Sequence, residues 1–125
     1  MNLQERIADV ERRIREACAR SGRQREDVNL IAVTKYVSLA TTRQVLELGL
    51  PHIGENRWQD ARPKWEELGS LGTWHFIGHL QTNKVKDVIG KFAYIHSLDR
   101  LSLATELQKK AESLDLTVRC FLQVN

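Results

Sequence analysis

The sequence predicts an α/β fold with a parallel sheet. It is of the (β/α)8-barrel type, with about the first five strands preceded by an N-terminal helix. Short apolar, β-branched segments alternate with amphipathic ones, which is typical of parallel strands joined by crossover helices. No glycine follows the first strand, at residues 34–38, whereas the competing doubly wound nucleotide-binding sheet places G-x-G-x-x-G there. The 125 residues are about half of the roughly 250 in a complete barrel.

The first helix is predicted from apolar residues spaced by four and three, at Leu3, Ile7, Val10, Ile14 and Ala17. Gly22 follows as a candidate left-handed cap. Residues 28–34 are nearly all apolar or β-branched, which predicts a strand buried on both faces. A second helix covers residues 39–48 and ends before Gly49.

The strand–helix unit then repeats along the rest of the chain. We predict strands at residues 52–54, 74–78, 92–96 and 116–124, and helices at residues 56–68, 82–89 and 101–114. Pro63 lies inside the helix at 56–68 and should kink or split it.

The composition is that of an ordinary globular domain, with 42% apolar residues, 28% charged residues and a net charge of +3. Such values exclude collagen-like, disulfide-rich and acidic disordered chains. The longest apolar runs, such as residues 30–33, are far below the roughly 18 residues of a membrane helix. Residues 1–5 lack the basic start and apolar core of a signal peptide. We therefore expect a cytoplasmic protein with no membrane partner.

The arginines of the first helix indicate a solvated face and not a nucleic-acid site. Acidic residues interrupt them and no aromatic side chain lies among them. Cys18 and Cys120 are far apart and form no C-x-x-C pair, so we expect two reduced thiols. His75 and His79 lie four residues apart without a third ligand nearby, so no metal site is predicted.

Lys35 is the strongest candidate for a reactive residue. It follows the first strand at the carboxyl-end edge of the sheet, where parallel α/β folds have their active and binding sites. Side chains alternate along a strand, so Lys35 shares a face with Ile31 and Val33. At a barrel mouth its amine would be partly desolvated, which lowers its pKa and lets it form a Schiff base with a carbonyl. The alternative is a lysine whose ammonium reaches water.

Other polar residues follow the remaining strands. Asn56 is a candidate for hydrogen bonding a ligand, or else the N-cap of the next helix. Glu55 is a candidate acid/base or the ion-pair partner of a nearby Arg or Lys. We expect His96 to be a hydrogen-bonded core histidine, and the three tryptophans to pack between helices and sheet.

Four motifs together resemble one family: A-V-T-K at 32–35, G-E-N-R at 54–57, W-H-F-I-G-H-L-Q-T-N-K at 74–84 and I-H-S-L-D at 95–99. In order and spacing they resemble the pyridoxal phosphate homeostasis proteins over essentially the whole chain. The resemblance implies a barrel of the alanine racemase N-terminal type that binds pyridoxal 5′-phosphate (PLP) covalently on Lys35. It places Asn56 beside the cofactor, and we add His79 and Ser97, at the exits of the third and fourth strands, as further cofactor-binding residues.

The resemblance also implies a function. Such proteins hold PLP and pass it on, which would make this one a carrier in vitamin B6 homeostasis, with PLP-dependent apoenzymes as acceptors and no catalysis of its own. The alternative is a PLP-dependent amino-acid racemase or decarboxylase on the same barrel.

The family's chains are nearly twice as long. Residues 1–125 are therefore expected to form the N-terminal part of a single barrel domain, apparently truncated, with the phosphate site in the C-terminal half. We expect a full-length monomer, and self-association of the shorter chain through the open edge of its fifth strand.

Overall fold

The protein is described by a computed structural model that covers residues 2–125. Within these residues, helices α1–α5 are Leu3–Ser21, Leu39–Glu47, Trp58–Leu68, Val85–Val88 and Leu101–Leu114, and strands β1–β5 are Ala32–Val33, His52–Glu55, Thr73–Phe76, Tyr94–Leu98 and Arg119–Leu122. Backbone contacts divide the chain between Leu30 and Ile31. No helix of the described part is long and apolar enough to cross a membrane.

The five strands form one parallel sheet in the order β1-β2-β3-β4-β5. Each strand pairs with the one before it in the chain, as in a barrel, whereas a doubly wound sheet reverses direction at a switch point. Val33, Gly54, His75 and Tyr94 pair in succession across four strands. We call these four residues the central row, because positions along the strands can be counted from it.

The core of residues 31–125 lies between one face of the sheet and helices α2–α5. Trp74 and Phe76 of β3 both pack edge-to-face against Phe92, with ring centroids 6.2 Å and 5.3 Å apart. On the neighbouring strands, Ile53 of β2 and Ile95 of β4 are fully buried. The helices contribute buried apolar residues, including Ala61, Leu68, Val85, Val88, Leu103 and Leu107.

The segment that ends at Leu30 consists of α1 and a short 3-10 turn. The Asn2 side chain accepts a hydrogen bond from the Glu5 amide at 2.8 Å and caps the helix. Gly22 ends it with φ of 73°, as its position in the sequence predicts. Arg12, Arg13 and Arg15 are exposed and form ion pairs with acidic residues of the same helix. These pairs agree with a solvated arginine face.

The main differences from the predicted elements lie at their ends. The strand predicted at residues 28–34 is reduced to Ala32–Val33, the two residues that pair with β2, and the Val28 amide instead bonds the Arg25 carbonyl in the preceding turn. Pro63 does not split α3, whose face with Ala61, Lys64 and Leu68 is buried. The helix predicted at residues 82–89 consists of a 3-10 turn, Thr82–Lys84, followed by α4.

Strand β5 carries apolar side chains that remain exposed. Phe121 and Leu122 are 53% and 75% exposed, and Val124, two residues after β5, is 86% exposed. Among the described residues, β5 pairs only with β4.

Candidate functional site

Lys35 lies in a turn directly after β1, at the carboxyl-end edge of the sheet. The next residue, Tyr36, adopts φ of 65°, a left-handed conformation that is uncommon for a bulky residue and concentrates at functional sites. The Lys35 Nζ lies 5.9 Å from the centroid of the exposed Tyr36 ring. Lys35 is itself exposed, so the described residues do not provide the desolvation that its position at a barrel mouth predicted.

A buried polar cluster, formed by Thr34, Glu55 and Lys64, includes the residue that precedes Lys35. The Lys64 Nζ donates to the Thr34 carbonyl at 2.7 Å and to Glu55 Oε2 at 2.9 Å. The Thr34 hydroxyl donates to the same carboxylate oxygen. All three side chains are buried. Glu55 is therefore the ion-pair partner of a lysine, one of the two roles that its position suggested.

Lys64 was not identified as a site residue from the sequence. The signal that could have found it is its spacing, since it lies three residues after Ala61 and four before Leu68 on the buried face of α3. A lysine within an apolar stripe requires a buried partner. The sequence does not say which carboxylate supplies it.

Asn56 follows β2 and presses against Gly78 in the segment after β3. A Cβ atom on Gly78 would lie 2.2 Å from Asn56 Oδ1 and 2.3 Å from its carbonyl oxygen, so only glycine fits there. The N-cap position of α3 belongs to Arg57 and not to Asn56. The capping role considered for Asn56 is therefore wrong, and its amide remains available for a ligand.

Asn56 and His79 both line a cleft of about 330 Å³ at this edge of the sheet. The other lining residues are aromatic, apolar, amide or cationic: Arg57, Trp58, Gln59, Phe76, Leu80, Gln81 and Lys84. Lys35 and Ser97 are not part of that lining. The structure therefore joins two of the four predicted cofactor residues in one cleft and leaves the other two outside it.

Ser97 of β4 is buried, and its Oγ has no hydrogen-bond partner among the described residues. Glu55 Oε1 is likewise buried without a hydrogen-bond partner among the described residues. Buried polar atoms are nearly always paired in folded proteins, so an unpaired one calls for an explanation. For Ser97 a bound ligand or an ordered water would supply it.

Three histidines are joined by hydrogen bonds across β2, β3 and β4. His52 Nδ1 lies 3.0 Å from His75 Nε2, and His75 Nδ1 lies 2.9 Å from His96 Nε2. Burial lowers the pKa of His75 to about 4, helped by the charges that His96 and His52 would carry, and burial also lowers the pKa of His96. In the described part of the chain, no group of three His, Cys, Asp or Glu is arranged to hold a metal ion.

His96 is thus a hydrogen-bonded histidine of the sheet, as expected. The chain of three was not identified from the sequence, because it depends on the register between strands. His79, four residues after His75, is exposed on the cleft and lies outside this chain of histidines.

Comparison with known proteins gives a consistent result, although no family model matches the chain. A pyridoxal phosphate homeostasis protein of Aquifex aeolicus is 44% identical over the whole chain. Those of Pseudomonas aeruginosa and Escherichia coli are 40% and 38% identical over 98% and 95% of it. The chain belongs to this family. It spans about half the length of these relatives, between 53% and 55%, and corresponds to their N-terminal portion.

Solved structures show that the similarity to this family extends to the three-dimensional fold. The structure of PipY from Synechococcus elongatus with PLP bound superposes with a TM-score of 0.76 at 40% identity, covering 89% of this chain and 53% of PipY. The structure of PipY without PLP gives a TM-score of 0.82 at 36% identity, over 99% of this chain and 54% of PipY. The barrel-type prediction is confirmed, and the homeostasis-family chain covers the first five strands of that fold.

The residues at the carboxyl-end edge fit the aldehyde and ring of PLP. A primary amine on an exposed turn is the group that reacts with an aldehyde, and an amide at the end of the neighbouring strand suits a ring substituent. In this homeostasis-family chain these groups are Lys35 and Asn56.

Proposed function

We propose that the protein containing this chain binds PLP and serves PLP homeostasis, holding the cofactor as a Schiff base on Lys35 and passing it to PLP-dependent apoenzymes. The observation that carries the proposal is the 40% identity to PipY, whose structure has been solved with PLP bound. The names of the relatives agree with it. The position of Lys35 at the carboxyl-end edge supports it independently of any comparison.

The chemistry needs little beyond Lys35. Its neutral Nζ attacks the aldehyde carbon, a C=N bond forms and water leaves. An amine of the acceptor then attacks the same carbon, and Lys35 departs as a free amine. Because the exchange is reversible and leaves the cofactor unchanged, we assign no catalytic turnover to the protein.

Asn56, His79 and Ser97 are proposed as cofactor contacts. The amide of Asn56 is held in place by its close packing on Gly78, and His79 lines the same cleft. The buried Ser97 hydroxyl has no partner among the described residues, which leaves it free for a ligand. We propose that residues outside this chain bind the phosphate, that the barrel is a single domain of which residues 1–125 are the N-terminal part, and that the protein is cytoplasmic.

The test is an absorption titration of the full-length protein with PLP, followed by borohydride reduction and peptide mapping. We expect a visible band that reduces onto Lys35 and is absent in Lys35→Ala. Lys109→Ala, a change at an exposed position of α5, is the matched control and should keep the band. Label spread over several surface lysines would overturn the assignment to Lys35. Exchange of an amino acid's α-proton in deuterated water would instead favour a racemase or decarboxylase.

A further inference from the structure

The histidines at positions 52, 75 and 96 form one continuous hydrogen-bonded chain, which we call the histidine chain. Its two links are 3.0 Å and 2.9 Å long, within the range of ordinary N–H···N hydrogen bonds. His75 is the middle member and uses both of its ring nitrogens. It is also buried, with 4% of its surface exposed.

A neutral imidazole has one N–H donor and one acceptor nitrogen. The middle ring must therefore donate through one link and accept through the other. Its low pKa, about 4, keeps His75 neutral at physiological pH. Both links consequently point the same way along the chain, and reversing one reverses the other. The tautomer of His52 is thereby coupled to the tautomer of His96, although no hydrogen bond joins these two histidines directly.

Two neighbouring aromatic rings hold the histidine chain in place. Tyr94 stacks on His75 with ring centroids 4.7 Å apart and an interplanar angle of 9°. The Phe121 ring lies 4.5 Å from the His96 ring. The Tyr94 hydroxyl accepts a hydrogen bond from the Arg119 guanidinium at 3.1 Å. It is therefore bonded to a residue outside the histidine chain. Fixed rings favour proton movement between nitrogens over ring rotation.

The histidine chain runs along the strand direction towards the carboxyl-end edge. His75 belongs to the central row, His52 precedes that row by two residues of β2, and His96 follows it by two residues of β4. Lys35 and Asn56 also follow the row by two residues, at the ends of β1 and β2. The last histidine is therefore level with the proposed cofactor lysine when positions are counted along the paired strands.

We propose that the histidine chain is a proton relay that ends at His96 and serves amine exchange at Lys35. In one step His96 Nδ1 takes up a proton at the site, and His96 Nε2 passes its proton to His75 Nδ1. His75 Nε2 then passes its proton to His52 Nδ1, and His52 Nε2 releases one to solvent. One proton enters and one leaves, so all three rings end neutral in the opposite tautomer. The role at Lys35 rests on the proposed function, whereas the tautomer coupling does not.

The coupling is tested by NMR on the full-length protein with 15N-labelled histidine and no PLP. His52→Asp supplies only an acceptor to His75, and His52→Lys supplies only a donor. We expect the two variants to leave His96 in opposite tautomers, whichever one the unmodified protein prefers. The same His96 tautomer in both would overturn the coupling. Tyr94→Phe keeps the stacked ring and removes only the hydroxyl, so it should leave the His96 tautomer as it is.

A second measurement does not depend on how the variants fold. Nitrogen–nitrogen couplings across the two links should be detectable in the unmodified protein, and their absence would overturn the chain itself. A third experiment tests the function by measuring the rate at which bound PLP is transferred to a small primary amine. We expect both His52 variants to slow it by at least about tenfold, because each fixes the direction of the hydrogen bonds, so that the histidine chain can no longer change tautomer as a proton passes.

The outcomes separate the two proposals. Normal transfer rates in variants whose His96 tautomer has changed would overturn the relay and leave the carrier function intact. Failure of PLP to react with Lys35 would overturn the carrier function, while the coupling would still be measured in the PLP-free protein.

Discussion

The Nζ of Lys64 donates a hydrogen bond at 2.7 Å to the carbonyl oxygen of Thr34, the residue that immediately precedes Lys35. The same ammonium pairs with Glu55 at 2.9 Å, and both side chains of the pair are almost completely buried. The backbone that carries Lys35 is therefore tied to α3 through one buried cation. Since Thr34 also bonds Glu55, the ends of β1 and β2 and the middle of α3 form one polar unit.

Replacing Lys64 by methionine should destabilise the protein severely. The change leaves the Glu55 carboxylate buried without its cation, which typically costs about 3–5 kcal/mol of unfolding free energy. Urea denaturation monitored by tryptophan fluorescence would measure the loss. Arg62→Met is the matched control on the same helix, because Arg62 forms an exposed pair with Glu66; we expect a change within about 1 kcal/mol. Equal losses in both variants would show that the buried pair has no special role.

Gly78→Ala should disturb Asn56. The new Cβ would meet the Asn56 side chain and carbonyl oxygen at 2.2 Å and 2.3 Å, so the two segments must separate. We expect a loss of about 2 kcal/mol or more in unfolding free energy, and weaker PLP binding in the full-length protein. Gly69→Ala is the milder control, since Gly69 has a helical φ of −54° and an added Cβ would lie 3.1 Å from a Trp65 ring atom, a contact that a shift of a few tenths of an ångström relieves. An unchanged stability in Gly78→Ala would contradict the close contact.

Ser97→Ala separates stability from ligand binding. The Oγ is buried without a partner among the described residues, so removing it should leave the unfolding free energy within about 0.5 kcal/mol or raise it slightly. If Ser97 contacts the cofactor, the affinity for PLP should fall about five- to tenfold, the value of one hydrogen bond. Spectrophotometric titration measures this, with Ser113→Ala on an exposed part of α5 as control. An unchanged PLP affinity would remove Ser97 from the site.

The stability should depend on pH through His75. Its pKa is about 4 in the folded protein against an ordinary value of 6.5, so between these values the unfolded chain binds a proton that the folded protein does not. The His75 contribution to the free energy of unfolding is therefore complete well above pH 6.5 and is lost as the pH falls towards 4, a decline on the order of 3 kcal/mol.

Denaturation at several pH values between 7 and 5 tests this dependence, because most carboxylates stay ionised there. His75→Gln lacks the titrating ring and should show a shallower decline over that interval. The same slope in both proteins would mean that His75 does not resist protonation in the folded state.

The sequence predicts the succession of elements well and their ends less well. Periodicity identifies α1 and α5, because one apolar face persists over several turns. It overestimates β1, because a β-branched run indicates extended backbone but does not reveal where the neighbouring strand supplies hydrogen bonds. The barrel-type sheet and the family are confirmed by the comparisons. The assignments of Lys35, Asn56, His79 and Ser97 to the cofactor remain predictions.

Two features of the site depend on tertiary structure. The sequence places Glu55 at a strand end, but only the packing of α3 on the sheet identifies Lys64 as its partner. Likewise, residues 52, 75 and 96 become neighbours only through the register of three strands. Local patterns contain no information about register, so the histidine chain could not be predicted.

The sequential strand order has a consequence for assembly during synthesis. Since every strand pairs with its predecessor, each new pairing needs only a strand that has already been made. The cluster of Thr34, Glu55 and Lys64 lies between the end of β1 and α3, with Glu55 and Lys64 only nine residues apart. A nascent chain that has emerged through α3 already holds every group of this cluster. The polar cluster next to Lys35 is therefore available to form before β3 has emerged from the ribosome.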